Sequence, residues 1–185
     1  MQHIVLASAS PRRAELLRKI VPAFDVMPAD IDESATSNES GGELVLRLAK
    51  LKAQKVLSEY PNAIIIGSDT IIYKDAKILG KPTGQADFLE MMQLLSGAHH
   101  EVLTGLAVLN AQQVKAMVVT TQVQFANISR EQALRYWQTK EPEDKAGGYA
   151  IQGIGAQFVK SINGSYTSVV GLPLHETKLM LESFS

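Results

Sequence analysis

The sequence predicts an α/β domain built on a mixed, twisted sheet flanked by helices. Three observations carry that expectation. Ala63-Ile64-Ile65-Ile66-Gly67 is apolar throughout, as strands buried on both faces tend to be. Residues 101–109 and 114–125 read as two long antiparallel strands joined by a polar turn at 110–113. Segments with helical apolar spacing alternate with these runs, which calls for helices packed on a sheet with both parallel and antiparallel pairs.

The elements follow in order. Ile4-Val5-Leu6-Ala7 is a short buried strand, and a helix after it carries Leu16, Leu17 and Ile20 on its inner face. Ser10 suits the N-cap of that helix, and Pro11 its first turn, where a missing N–H costs nothing. Residues 24–28 form a second strand leading into an acidic, polar loop over 30–40. A helix over 42–59 puts Leu44, Leu48 and Leu51 on one stripe, with Arg47, Lys50 and Glu59 pointing elsewhere, and Pro61 ends it. Ser68-Asp69-Thr70 lies at the carboxyl end of the central strand, before a short run at 71–73, a turn near Asp75 and Gly80-Lys81-Pro82. A helix over 85–95 stops at Ser96-Gly97. Ser129-Arg130-Glu131-Gln132 has the capping-box pattern and opens a helix through Trp137. A glycine-rich stretch (Gly147, Gly148, Gly153, Gly155) precedes a strand over 158–162. Asn163-Gly164 signals a hairpin turn, and Leu172-Pro173 starts the last helix.

A chain of 185 residues fits one domain, 1–185, with room for two lobes around one core. The net charge of -1 provides no global basic field, so no nucleic-acid polymer is expected as a partner. Any polyanion site must therefore be built from a few local Arg and Lys. The absence of cysteine excludes disulfides, Cys-ligated zinc and thiol catalysis. No stretch reaches the roughly 18 apolar residues of a membrane span. The opening apolar run is too short for a signal peptide, so a cytoplasmic location is expected. His3, His99, His100 and His175 show no metal-binding spacing, and there is no Walker-type loop.

Five places hold candidate chemistry. Arg12 and Arg13 stand in the first turn of a helix with no acid before Glu15. Cations there normally cost about 0.3–1 kcal/mol each against the helix dipole. A bound anion reverses that sign, collecting backbone N–H groups, the Ser8 and Ser10 hydroxyls and guanidinium forks that suit phosphate oxygens. The alternative is a capped surface helix with solvated arginines. Asp69 follows an apolar strand, where ligands of open α/β sheets gather, and can hold Mg²⁺ or accept a proton from water. Its alternative is a turn cap. One residue of Asp30, Asp32 and Glu33 would suffice beside Asp69, because Mg²⁺ typically takes one or two carboxylates plus substrate phosphates. A solvated acidic loop is the alternative. Lys52 reads first as a solubility residue on the long helix, whereas Lys81 sits between two turn formers that fix its backbone. Tyr149-Ala150-Ile151-Gln152-Gly153-Ile154-Gly155 lacks the third glycine of a dinucleotide fingerprint. Gln152 instead offers both a donor and an acceptor to a base edge.

Together, and in order, these pieces match a family. Leu6-Ala7-Ser8-Ala9-Ser10-Pro11-Arg12-Arg13, Asp32-Glu33, Arg47-Leu48-Ala49 with Lys52-Ala53, Gly67-Ser68-Asp69-Thr70, Gly80-Lys81-Pro82, Lys145-Ala146-Gly147 and Val170-Gly171-Leu172-Pro173-Leu174 closely resemble the Maf family of nucleotide pyrophosphatases. The resemblance implies two lobes around a deep nucleotide-binding cleft, often in a homodimer. It implies hydrolysis of a nucleoside triphosphate between its α and β phosphates with a divalent cation, Mg²⁺ or alternatively Mn²⁺ or Co²⁺. It puts the catalytic, metal-binding carboxylate on Asp69 and a second metal ligand on Glu33. Phosphate binding falls on Ser8, Ser10, Arg12, Arg13, Lys52 and Lys81. Ser68-Asp69-Thr70 and Tyr149-Ala150-Ile151-Gln152-Gly153 look like the branch acting on dTTP and UTP, which makes Arg12, Thr70 and Gln152 the specificity positions. The 7-methyl-GTP branch tends to show Asp-Gln and Ser-Glu-Gly there. Ala9 stands where many members have glycine. The rival functions are a pyrophosphatase for 7-methyl-GTP or another modified nucleotide, and a non-catalytic nucleotide sensor regulating cell division. The sensor has no need of Asp69 and Glu33.

Overall fold

Seven strands of a computed structural model, which describes residues 3–184, make one mixed sheet. They are β1 (Ile4–Ala7), β2 (Asp25–Val26), β3 (Ile64–Lys74), β4 (Lys77–Leu79), β5 (His99–Leu109), β6 (Val114–Phe125) and β7 (Val159–Asn163). Their order is β2-β1-β3-β5-β6-β7, with β4 on β3. β1 runs parallel to both β2 and β3, while β3–β4 and β6–β7 are antiparallel. The helices are α1 (Pro11–Arg18), α2 (Gly41–Leu57), α3 (Gln85–Leu95), α4 (Arg130–Gln138), α5 (Tyr166–Val170) and α6 (Leu174–Glu182). Among the described residues, no helix is long and apolar enough to cross a membrane.

The chain divides into two compact units. The first holds the described residues up to Thr70, Thr104–Val119 and those from Gly171 onward. Its parallel register runs from Ile4↔Ile64 to Ala7↔Gly67. Helix α2 covers this sheet, and Ala49, Ala53 and Val56 join Val5, Ala7, Ile65, Ala107 and Leu109 in one core. Two glycines set how closely the helix lies. A side chain at Gly67 would strike the carbonyl of Ala49, and one at Gly105 the carbonyl of Val45. Ser40 and Glu43 close a reciprocal capping box that starts α2 where the acidic loop ends.

The stripe on α2 differs from the expected one. Leu44 and Leu48 are buried, but Leu51 is 37% exposed. At about 100° per residue, the face through 45, 48, 49, 53 and 56 centres on position 52 rather than 51. Lys52 therefore occupies a core position, 8% exposed, which overturns its reading as a solubility residue. Helix α1 ends at Arg18, so Ile20 lies beyond it and is only partly buried. The strand expected over 24–28 shrinks to two residues.

The second unit holds Ile71–Leu103 and Thr120–Val170. Phe88, Met92 and Leu95 of α3 pack with Val123 and Phe125 of β6, Tyr136 of α4, Tyr149 and Phe158. A fully buried side chain of this size contributes about 1.5–3 kcal/mol. Ser129 and Gln132 close the expected capping box on α4. Asp75 and Ala76, both at positive φ (49° and 61°), turn β3 back into β4. Asn163-Gly164 is not a hairpin turn. Gly164 (φ 134°) lies against Thr121 of β6, whose Oγ1 accepts from the Ser165 N–H at 3.0 Å, and the chain then enters α5.

Candidate active site

The first unit gathers most of the candidate residues. Strand β3 does not stop at Gly67 but continues through Ser68, Asp69 and Thr70 to Lys74, so Asp69 is a strand residue and not a turn cap. Its pairing with β1 ends at Ala7↔Gly67, which places Asp69 two residues past the carboxyl end of the parallel pair. Asp69 is 8% exposed, and its Oδ1 accepts from Lys52 Nζ at 2.6 Å. The same ammonium lies 2.8 Å from Glu33 Oε1, on a side chain that is 58% exposed. Two carboxylates from separate segments thus converge on one buried cation. Asp30 and Asp32 do not share it. Asp30 is exposed, and Asp32 accepts from the Ser34 N–H at 2.9 Å, a bond that holds its carboxyl below its ordinary pKa.

The loop carrying Glu33 has its own anchor. Arg47 of α2 forks onto Glu39 at 2.6 and 2.8 Å, and its Nη2 donates to the Ser34 carbonyl at 2.9 Å. Arg47 stood in the motif series without a role, and its partner eight residues upstream lies beyond any short-range pattern. The hydrogen bonds from Arg47 hold the Glu39 carboxyl down to about 2.

At the start of α1, Ser8 is 5% exposed and its Oγ accepts from the Ser10 N–H at 3.1 Å. Ser10 is the N-cap residue, yet its side chain makes no capping bond, and the first turn contains no acid. Arg13 folds back, with Nε donating to the Gly171 carbonyl at 2.8 Å, Nη2 to Thr70 Oγ1 at 3.3 Å and Nη1 to Ser8 Oγ at 3.4 Å. Burial lowers the pKa of its guanidinium; Asp69 opposes that shift and Arg12 adds to it. Arginine is not deprotonated in proteins, so the group stays charged at neutral pH. Thr70 Oγ1 also pairs with Thr104 Oγ1 at 3.1 Å. Ser68, fully buried, has its hydroxyl near the carbonyls of Gly105 (2.9 Å) and Gly171 (3.0 Å), tying β3 to β5 and to the segment before α6. Arg12 is partly exposed.

Lys81 and Gln152 belong to the second unit, and both are exposed. The Gly80 carbonyl beside Lys81 accepts from the Gly147 N–H at 2.9 Å. Gln152 projects from a loop whose supports, Tyr136 and Glu141, went unnoticed in the sequence. Among the described residues, no group of three His, Asp or Glu could hold a metal.

The Maf-like protein family matches residues 3–184. The chain belongs to the Maf family. The chain is 48% identical to a dTTP/UTP pyrophosphatase of Colwellia psychrerythraea, the match covering 97% of this chain and 87% of that protein. A dTTP/UTP pyrophosphatase of Vibrio vulnificus is 45% identical over the whole of both chains. One from Symbiobacterium thermophilum is 48% identical over 100% of this chain and 95% of its own. Among solved structures, a HAM1 protein from Coxiella burnetii superposes with a TM-score of 0.55 at 15% identity, over 99% of this chain and 100% of that one. The Staphylococcus aureus Ham1 protein gives 0.53 at 13% over both full lengths. At such identities these likenesses establish that the Maf chain shares their fold, and nothing more.

Proposed function

We propose that the protein is a nucleoside triphosphate pyrophosphatase that hydrolyses dTTP and UTP to the monophosphate and pyrophosphate. The observation that carries this reading is the pair of carboxylates, Asp69 and Glu33, converging on Lys52. The dTTP/UTP pyrophosphatases that resemble this chain over nearly its full length support the substrate. Water attacks the α phosphorus, its oxygen bonds to phosphorus, and the bond to the bridging oxygen breaks as pyrophosphate leaves. Asp69 accepts the proton of that water. Arg12, Arg13, Lys52 and Lys81 take up the phosphate charge and stabilise the leaving group by fixed electrostatics. Ser8, Ser10 and the start of α1 bind phosphate oxygens. Thr70 and Gln152, with Arg12, set the preference for a pyrimidine base.

A divalent cation, Mg²⁺ or alternatively Mn²⁺ or Co²⁺, would be held by Asp69 and Glu33 and would supply charge neutralisation and polarisation of water. Two carboxylates suit Mg²⁺, which typically takes only one or two from a protein, and no group of three metal-ligating side chains occurs among the described residues. Until nucleotide arrives, Lys52 keeps the two carboxylates from repelling one another. The protein acts in this reading as a cytoplasmic homodimer.

Pyrophosphate release from a nucleotide panel with Mg²⁺, wild type beside Asp69→Asn, tests the proposal. We expect turnover of dTTP and UTP, reduced about 10²–10⁴-fold in the variant. Near wild-type turnover by folded Asp69→Asn would remove Asp69 as the base. Preference for 7-methyl-GTP would overturn the substrate, and tight nucleotide binding without turnover would favour the regulator.

A further inference from the structure

The loop that carries Gln152 is pinned at both ends by two side chains outside it. Tyr136 Oη accepts from the Ala150 N–H at 3.1 Å and donates to Glu141 Oε1 at 2.6 Å. Glu141 Oε1 also accepts from the Gly155 N–H at 2.9 Å, and Oε2 from the Ile154 N–H at 2.9 Å. Between the pins, the Gly153 N–H closes a turn onto the Ala150 carbonyl at 3.2 Å. Ile151 points into the core at 8% exposed, whereas Gln152 is exposed.

Glu141 is itself held in place. It opens a 3-10 turn (Glu141–Asp144) after Lys140, a non-glycine residue at φ 67°, with Pro142 next. Its backbone N–H donates to Thr139 Oγ1 at 3.3 Å. Burial pushes its carboxyl toward protonation, but the hydrogen bonds from Tyr136, Ile154 and Gly155 outweigh that and leave it below its ordinary pKa. The acceptor stays ionised at neutral pH, and charge-assisted bonds of this kind are roughly twice as strong as neutral ones.

The clamp also accounts for two glycines of the motif. A side chain at Gly153 would strike the Glu141 carboxylate, and one at Gly155 would strike the Tyr136 hydroxyl. The pattern Gln-Gly-Ile-Gly is what a loop needs when two polar side chains press on its backbone.

We propose that Glu141 and Tyr136 are positioning residues for base recognition, fixing loop 150–155 so that Gln152 meets the nucleobase in a single conformation. The inference rests on the base-reading role given to Gln152 above. Neither residue touches substrate in this account. Each acts through the loop, and loss of either leaves the phosphate chemistry in place.

The test is steady-state kinetics with dTTP, UTP and a purine triphosphate for wild type, Glu141→Ala, Glu141→Gln, Gln152→Ala and the Glu141→Ala/Gln152→Ala double variant. Glu141→Ala raises KM for dTTP and UTP about 10-fold with kcat within about 2-fold, because uniform binding is lost rather than transition-state contact. Its preference for pyrimidine over purine narrows by a similar factor. Glu141→Gln recovers part of the effect, since an amide oxygen in the place of Oε1 still accepts from Tyr136 Oη and the Gly155 N–H while the amide nitrogen in the place of Oε2 cannot accept from the Ile154 N–H. The double variant narrows the preference no further than Gln152→Ala does. A fall in kcat with KM and preference unmoved would mark Glu141 as merely structural and overturn the inference. So would independent, multiplying effects of positions 141 and 152. If Glu141→Ala does not fold, Tyr136→Phe, which keeps ring and carboxylate, must show the same KM pattern in milder form or the inference fails. Failure of the pyrophosphatase reading shows earlier and separately, as a wild type that releases no pyrophosphate. Failure of the inference alone shows only among the variants.

Discussion

A lysine ammonium enclosed by two carboxylates screens each from the other, and removing it leaves a charge in a place made for a pair. Lys52 and Asp69 have side chains only 9% and 11% exposed, whereas Glu33 keeps much of its carboxylate in solvent. Lys52→Met is therefore expected to destabilise the fold by about 3 kcal/mol, nearly all of it from Asp69 left buried without its counter-charge. The measurement is urea unfolding, where the midpoint falls while the slope is unchanged. Adding Asp69→Asn removes the stranded charge and restores most of the loss. A double variant no more stable than Lys52→Met would show that the methionine itself packs badly. Asp69 was legible in the sequence because an acid after a wholly apolar strand is conspicuous. Lys52 was not legible from its own surroundings. A charged residue at a core position of a helix looks like any solvent-facing lysine until the partners that neutralise it, 17 and 19 residues away, are brought to it.

Among elements, the contact of α2 against β3 and β5 is a close one. It has no side chain at two of its closest points, Gly67 and Gly105, where helix carbonyls approach the strands directly. Gly67→Ala forces α2 away from the sheet. We expect a loss of about 1–3 kcal/mol from overpacking, together with reduced turnover as Lys52 moves relative to Asp69. Unfolding and pyrophosphate assays on one preparation check both, and a stable variant of full activity would mean that the helix can shift without consequence. Most element boundaries were readable from apolar period and caps, as the agreement for α3 and α4 shows. The misreadings had local causes. Polar Ser68 and Thr70 around Asp69 read as a strand end, because a strand that changes from apolar to polar surroundings resembles one that terminates. Asn163-Gly164 carried a hairpin signature, but Thr121 turned the chain into a helix instead.

At the scale of the whole molecule, acid stability is set in part by His100. Burial, followed by the charges of Lys74 and His99, lowers its pKa from 6.5 to about 4. Its Nε2 lies 2.7 Å from Tyr149 Oη, and Nδ1 has no hydrogen-bond partner among the described residues. Above the unfolded pKa of 6.5 the ring is neutral in both states and the full stability is present. As pH falls toward 4, the unfolded chain takes up a proton that the native one refuses, so stability declines across that window by up to about 3 kcal/mol. His100→Gln keeps a partner for Tyr149 and removes the titration. Its urea midpoint is expected to change less between about pH 7 and pH 5 than that of the wild type. A decline as steep in the variant would assign the acid sensitivity to other groups.

The glycine contacts bear on how the gene tolerates change. Selection for activity would also act against replacements at Gly67, Gly105 and Gly155, where backbone atoms stand in the way of a side chain, although none of these glycines carries a functional group. A map of inactivating alleles would then trace two things at once: where the protein does chemistry, and where its backbone comes too close to another group for even a methyl. Telling the two apart needs a measure of stability for each allele, because the glycine alleles would unfold more readily while those at Asp69 would lose turnover without that signature.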